Sequence, residues 1–347
     1  MAEKQALLQK ILEIESEVDS AVSRRMLHAN NLAAGNPGAV MFYFYLSKLT
    51  GSEEYFDKAT RLYERIVNDY RFDPKYYSHC SGLAGLNWLT GHLIKNDFID
   101  ASCYEAISET EHFLYEKMTE LLKQGFYDFL HDGLSIFYFF IENDIQHYDK
   151  EKIIAEVVDL LANIATTNED GTVLWYNVDF VNRVIESNEC NLGLAHGMPS
   201  IISLLSKAAL RTNNPETRER AIMLADKAAR FILTLQSKDP STLSLYPFGM
   251  KKNNDASYNS RLAWCYGDLG IAISFWHLYE ASNDENWKNA SLQIIDKASL
   301  RRDRTQNMLH DAAVCHGTSG VSHIFHRFYL HTNNERYQQA AKYWIGH

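Results

Sequence analysis

Gly267-Asp268-Leu269-Gly270-Ile271-Ala272-Ile273-Ser274-Phe275-Trp276-His277-Leu278-Tyr279 decides the fold. A short glycine-bounded turn opens directly into a helix-length stretch that is apolar on nearly every side. A helix without a polar face has to be buried all round. The same device recurs along the chain, as GNPG at Gly35, GLAG at Gly82, DGLS at Asp132, GMPS at Gly197 and GTSG at Gly317. The steps between first positions are 47, 50, 65, 70 and 50 residues. A step near 50 holds two helices and two connections. Stripes with a polar face precede the turns, as at Tyr55–Tyr70, and a 3,4-spaced stripe runs through Ile153, Ile154, Val157, Val158, Leu160, Leu161 and Ile164. Each repeat therefore reads as an outer amphipathic helix, a turn, and an inner apolar helix. Six such hairpins close into a double ring, an all-α α/α toroid, with 1–347 as a single domain. The rival is an open solenoid, whose end faces would need caps. Closure would gather the turns on one face around a central cavity, so the turns are where chemistry is sought.

The two long steps locate insertions at roughly 165–191 and 236–260. The first contains the only strand-like run, Thr172–Val178, read as a hairpin within a loop. Loops of this length are usually functional or mobile. The second carries Lys251 and Lys252 beside Tyr246 and Phe248, which suggests a basic-aromatic flap over the cavity mouth.

The chain has 347 residues, of which 46% are hydrophobic and 22% charged, ordinary values for a globular protein. With 34 Lys+Arg against 44 Asp+Glu the net charge is −10. That balance argues against nucleic acid, which needs a basic footprint, and against an anionic membrane surface. Apolar runs such as Leu134–Ile141 fall far short of the roughly 20 residues a membrane span requires. The N-terminus mixes charges into an amphipathic pattern rather than a signal peptide, so a cytoplasmic protein is expected. Five cysteines, an odd number, read as thiols or metal ligands rather than as a disulfide framework.

Three turns carry metal-ligating side chains: Trp264-Cys265-Tyr266-Gly267, Cys315-His316-Gly317 and Gly193-Leu194-Ala195-His196-Gly197. Cys265 and Cys315 lie one repeat apart at the same place in their turns, so neighbouring repeats would bring them together. Two thiolates and one imidazole suit zinc, and three protein ligands leave the open fourth position of a catalytic site. The bland alternatives are a small buried cysteine and a packed histidine. His79-Cys80 at the second turn reads as packing. Cys190 lies six residues from His196 and reads as outside the site. His323, His326 and His331 read as a solvated helix face. Arg261 is left open between pairing with an acid and binding a substrate carboxylate.

G-L-A-H-G, W-C-Y-G and C-H-G, in this order on a six-fold helical repeat, resemble the lanthionine synthetase C-like cyclases. The resemblance covers essentially the whole chain and implies an α/α toroid with a central Zn²⁺. It implies Cys265, Cys315 and His316 as the ligands, His196 as the active-site histidine, and Asp128 of the Tyr127-Asp128 pair as a catalytic aspartate. Asp132 stands where the third turn normally has Gly, Ser200 replaces the closing Gly of the fourth, and Leu269 stands where many members have Pro. These departures bear on the backbone around Asp128 and leave the ligands intact. The implied reaction is Michael-type addition of a peptide cysteine to dehydroalanine or dehydrobutyrine, giving a thioether ring. The implied partner is a dehydrated precursor peptide, with a separate dehydratase supplying it.

That chemistry suits the residues themselves. A free thiol has a pKa of about 8.5 and needs a metal to become thiolate at neutral pH. Addition leaves an enolate that needs a proton, a general-acid task suited to His196. Asp128 would orient His196 or the substrate amide, or simply cap a turn. Two other classes compete. A glycoside-processing toroid would use two carboxylates among Asp128, Asp132 and Asp268, and a peptide-binding scaffold, or a relative adding glutathione or another thiol, would keep the metal.

Overall fold

A computed structural model of the chain describes residues 2–28, 30–179, 182–186, 189–250 and 257–346. Lys251 and Lys252 lie outside them. The chain forms two compact units, one of Met1–Lys117 with Tyr138–His147 and the other of Met118–Phe137 with Tyr148–His347. Among the described residues no helix is long and apolar enough to cross a membrane.

All six glycine-rich turns open a helix. In the first unit these are α2 (Asn36–Thr50) and α4 (Leu83–Lys95), with α1 (Ala2–Ser23), α3 (Glu53–Asp69) and α5 (Glu105–Ser108) beside them. Helices α6 (Glu111–Lys123) and α7 (Gly133–Glu142) each run across the division between units. The second unit continues with α8 (Lys150–Ile164), α9 (Met198–Arg211), α10 (Pro215–Thr234), α11 (Asp268–Ser282), α12 (Glu285–Ala298), α13 (Thr318–Thr332) and α14 (Glu335–Ile345). Pairs α2/α3, α9/α10, α11/α12 and α13/α14 pack as hairpins, and α9 lies against α11.

Inner and outer helices start by different means. Four outer helices use Asx caps: Asp149, Asn214, Asp284 and Asn334 each accept a hydrogen bond from the first turn of their helix, whereas α3 starts after Ser52 with no side-chain cap. Helices α2, α4, α9, α11 and α13 start instead on Gly35, Gly82, Gly197, Gly267 and Gly317, with no side-chain cap. Here the turn is set by close backbone approach. A Cβ on Gly270 would lie 2.7 Å from the Trp264 carbonyl oxygen, and one on Gly320 would lie 1.8 Å from that of Val314. Gly267 sits at φ +95°, a conformation strained for any L side chain. Where Ser135 and Ser200 replace the closing glycine, each hydroxyl donates to the carbonyl of the opening residue, Asp132 or Gly197.

The apolar stripes are buried as their spacing requires. In α8, Ile153, Ile154, Val157, Val158 and Leu161 are buried. In the first unit Tyr43, Phe44, Leu62, Leu86, Leu89 and Phe98 form one core. His79 packs edge-on against Trp88 and Tyr138, and burial lowers its pKa to about 4, in line with a packing role.

The first insertion contains two strand pairs, and a third pair joins it to the second. β1 (Thr166–Thr167) pairs with β2 (Val173–Leu174), and β3 (Asn177–Asp179) pairs with β4 (Val184–Glu186), all antiparallel. β5 (Cys190–Asn191) pairs with β6 (Gly249–Met250), joining the two insertions to each other. Tyr246 is not part of a flap. It is 1% exposed and edge-on to Phe275, because an aromatic that large is worth more inside than over a solvated loop. Phe248 does line a cavity.

Candidate metal centre and acid–base pair

The turns of the second unit are clipped to one another through their backbones. Ala195 N–H donates to the Cys265 carbonyl (3.2 Å), and Trp264 and Cys265 N–H both donate to the Cys315 carbonyl (3.2 and 3.3 Å). Ala195, Ala263 and Cys265 then share a small apolar cluster with Leu130, Trp264, Tyr266 and Cys315. The third, fourth, fifth and sixth turns meet there.

Within this frame one ligand atom from each of Cys265, Cys315 and His316 lies within 4.8 Å of the other two. All five cysteines are free thiols. The Cys265 thiol is held down to about 6, first by its hydrogen bond with Cys315 and further by the charges of Arg261 and His316, against the effect of burial. Arg261 itself donates to the Met308 carbonyl (2.7 Å), which fixes it beside the sulfur. His316 Nε2 lies 3.3 Å from Asp311 Oδ2, leaving Nδ1 as the remaining donor. A carboxylate behind a histidine ligand is the usual means of fixing its orientation. Soft donors, a lowered thiol pKa and an oriented imidazole fit Zn²⁺, with a fourth position left for a substrate.

His196 and Asp128 form the second group. His196 Nδ1 lies 2.6 Å from Asp128 Oδ2. The other carboxylate oxygen accepts from the backbone N–H of Leu130 and His131 (2.8 and 2.9 Å). Asp128 is therefore both a turn-capping residue and the partner of the histidine, and the two readings are compatible. Two backbone donors fix the carboxylate, and the carboxylate fixes the imidazole. His131 completes a cluster with Asp128 and His196 within 4.8 Å, its ring stacked on His196 at 5.7 Å. Tyr266, next to Cys265, packs on the opposite turn's His196 at 5.9 Å. Its hydroxyl accepts from Asn191 Nδ2, and burial raises its pKa.

The third turn's Asp132 has a specific partner. Arg183, at the tip between β3 and β4, donates to Asp132 Oδ1 at 2.5 Å and stacks over the Phe126 ring. The insertion thus holds the turn where glycine is missing. Tyr127 adds a second tie, donating to the Tyr176 carbonyl (2.8 Å). Asp268 is fully buried, accepts from Leu245 and Tyr246 N–H, and faces Arg301 at 3.7 Å. Each of the three turn carboxylates thus has an internal partner.

A cavity of about 320 Å³ adjoins this site and shares Tyr266 with it. Its other walls come from both insertions, including Asn177, Cys190, Asn191, Phe248 and Met250. Cys190 is buried with its thiol pushed up to about 11, so it is an inert wall residue.

The model of the lanthionine synthetase C-like protein family matches residues 27–347. The chain belongs to the lanthionine synthetase C-like family. It is 25% identical over 328 residues to the nisin biosynthesis protein NisC of Lactococcus lactis subsp. lactis, covering 88% of this chain and 75% of that one. It also superposes on the structure of nisin cyclase with a TM-score of 0.74 at 20% identity, covering 98% of this chain and 85% of that one. The likeness shows the fold: all-α, of the α/α toroid class that the repeated turns imply.

Proposed function

We propose that this family member is a zinc-dependent cyclase that closes thioether rings by adding cysteine thiols to dehydroalanine or dehydrobutyrine in a precursor peptide. The observation that carries this reading is that the turns bearing a two-thiol, one-imidazole set and a His–Asp pair are clipped to one another around a shared apolar cluster. The family and its nisin-cyclising relatives support it. Cys265, Cys315 and His316 would hold Zn²⁺, which supplies a Lewis acid that keeps a substrate thiol ionised at neutral pH.

The other residues follow from the geometry. Asp128 accepts from His196 Nδ1 and so leaves Nε2 as the atom that exchanges protons with the substrate. Addition of sulfur to the β-carbon converts the alkene to an enolate, and His196 gives its proton to the α-carbon. The thiol proton replaces it, so the peptide gains and loses no atoms overall. Tyr266 and the cavity walls exclude water and shape the space beside His196. The two insertions, joined by β5 and β6, line the cavity through which an extended peptide would approach.

The family match extends through both compact units, which supports 1–347 working as one domain. Free thiols throughout suit a reducing, cytoplasmic setting. The dehydrated peptide would come from a separate dehydratase.

The test is incubation of the zinc-loaded protein with a dehydrated cysteine peptide. Ring closure leaves the mass unchanged and removes the alkylatable thiol. Persistence of the thiol with stoichiometric zinc present would favour a peptide-binding scaffold.

A further inference from the structure

Helices α9, α11 and α13 line a second, open cavity of about 430 Å³, with His323, Arg327 and His331 exposed at its rim. It shares only Trp264 with the metal turns. Lys207 of α9 and Arg327 of α13 line it, with Trp276, His277 and Glu280 of α11 between them. His323 and His331 complete the titratable wall, and Ile273, Ile324 and Phe328 supply apolar surface. The wall thus carries two cationic side chains and one carboxylate, and Glu280 accepts from Trp276 Nε1 at 3.0 Å. Nδ1 of His277 is buried with no hydrogen-bond partner among the described residues. Burial, with Lys207 nearby, lowers the His277 pKa to about 3, so the ring is neutral and has a donor to offer. Arg327 likewise depresses His323, after burial. A buried polar atom without a partner is costly, and native structures seldom leave one without a ligand or a role.

We propose that this cavity binds a carboxylate attached to an apolar body, the anion between Lys207, Arg327 and His277 and the body against Trp264 and Trp276. The source with the matching chemistry is an acidic side chain or chain end of a peptide. Because Trp264 precedes Cys265, such a group would be held while another part of the same peptide reaches the thiol site. The peptide source rests on the cyclase reading, whereas the carboxylate site itself does not.

Binding is measured without turnover, on the full chain labelled at histidine for NMR. The probes are N-acetyl-phenylalanine, its amide and inorganic phosphate. The carboxylate should bind saturably and raise the His277 titration midpoint, with the amide weaker by about tenfold or more, the usual worth of a charged hydrogen bond. Lys207→Met and Arg327→Met should each weaken the carboxylate by about the same factor and leave zinc content unchanged. Equal affinity for carboxylate and amide on the wild-type protein would overturn the proposal without recourse to a variant. So would wild-type affinity in the double variant. Saturable binding of phosphate with none of the carboxylate would assign the cavity to inorganic oxyanions and overturn the peptide source. A wild-type protein that binds the carboxylate but fails to close rings would refute the cyclase reading alone.

Discussion

Asp128→Asn separates the roles of the carboxylate more cleanly than any other change at the site. Asparagine keeps an oxygen for the Leu130 and His131 N–H groups, so the turn survives. Its amide nitrogen then faces His196 Nδ1, where the carboxylate oxygen now lies at 2.6 Å. A ring N–H cannot donate to an NH₂ group, so the imidazole must change tautomer or rotate. The lost interaction is a charge-assisted hydrogen bond to a carboxylate that is 1% exposed. Such bonds contribute about 1.5–3 kcal/mol, which corresponds to about 10- to 150-fold in rate at 1.4 kcal/mol per tenfold. The assay is ring closure of a dehydrated peptide, followed by loss of alkylatable thiol, with zinc content measured in parallel. Zinc should be unchanged. His196→Asn alone should cost about 10²–10⁴-fold, and adding Asp128→Asn to it should cost little more, because the aspartate acts through the histidine. Additive losses in the double variant would refute the pairing. So would full activity of Asp128→Asn.

Cys265→Ala or Cys315→Ala should abolish stoichiometric zinc by elemental analysis while the helical fold persists, because the core does not depend on the metal; one zinc per chain in both would overturn the ligand set. Asp311→Asn should weaken zinc by about 10–100-fold in a chelator competition, through His316. His79, whose folded pKa of about 4 lies below the unfolded value near 6.5, stabilises the fold above pH 6.5 and loses that contribution as pH falls toward 4, by about 3 kcal/mol at most. His79→Phe should therefore flatten the fall in urea midpoint across that window, whatever its offset at pH 7.

The spacing of the turns was legible because inner helices must be apolar on all faces, and that property is visible in sequence as runs such as Ile271–Tyr279. The candidate ligand set was legible because Cys265 and Cys315 repeat with the turns, and the structure brings both together with His316. His131 and Asp311 were not. A single histidine or aspartate inside a turn has no period, and their roles come from side-chain direction alone. The partner of Asp132 was also hidden, since Arg183 lies 51 residues away in an irregular insertion. The reading of Tyr246 failed for a related reason: an aromatic in a serine-rich polar loop looks exposed until the pairing of β5 with β6 ties that loop to the first insertion.

The placement of reactive groups on turns rather than on helix faces has an electrostatic consequence. Cys265 and Cys315 each lie three residues before the start of an inner helix, α11 and α13, and His196 lies two before α9. Helix N-termini carry partial positive charge and unpaired N–H groups, which favour thiolate and, during addition, the enolate. Glycine caps leave those N–H groups without competing side-chain acceptors, whereas the Asx caps of the outer helices occupy theirs. Other glycines let adjacent turns approach closely: a Cβ on Gly193 would lie 2.7 Å from the Cys265 carbonyl oxygen, and one on Gly270 would lie 2.9 Å from Leu194 Cβ. Glycine thus serves both the packing of the reactive turns and the field at the helix starts beside them, and a side chain at Gly267, where φ is +95°, would disturb the helix start that Cys265 precedes.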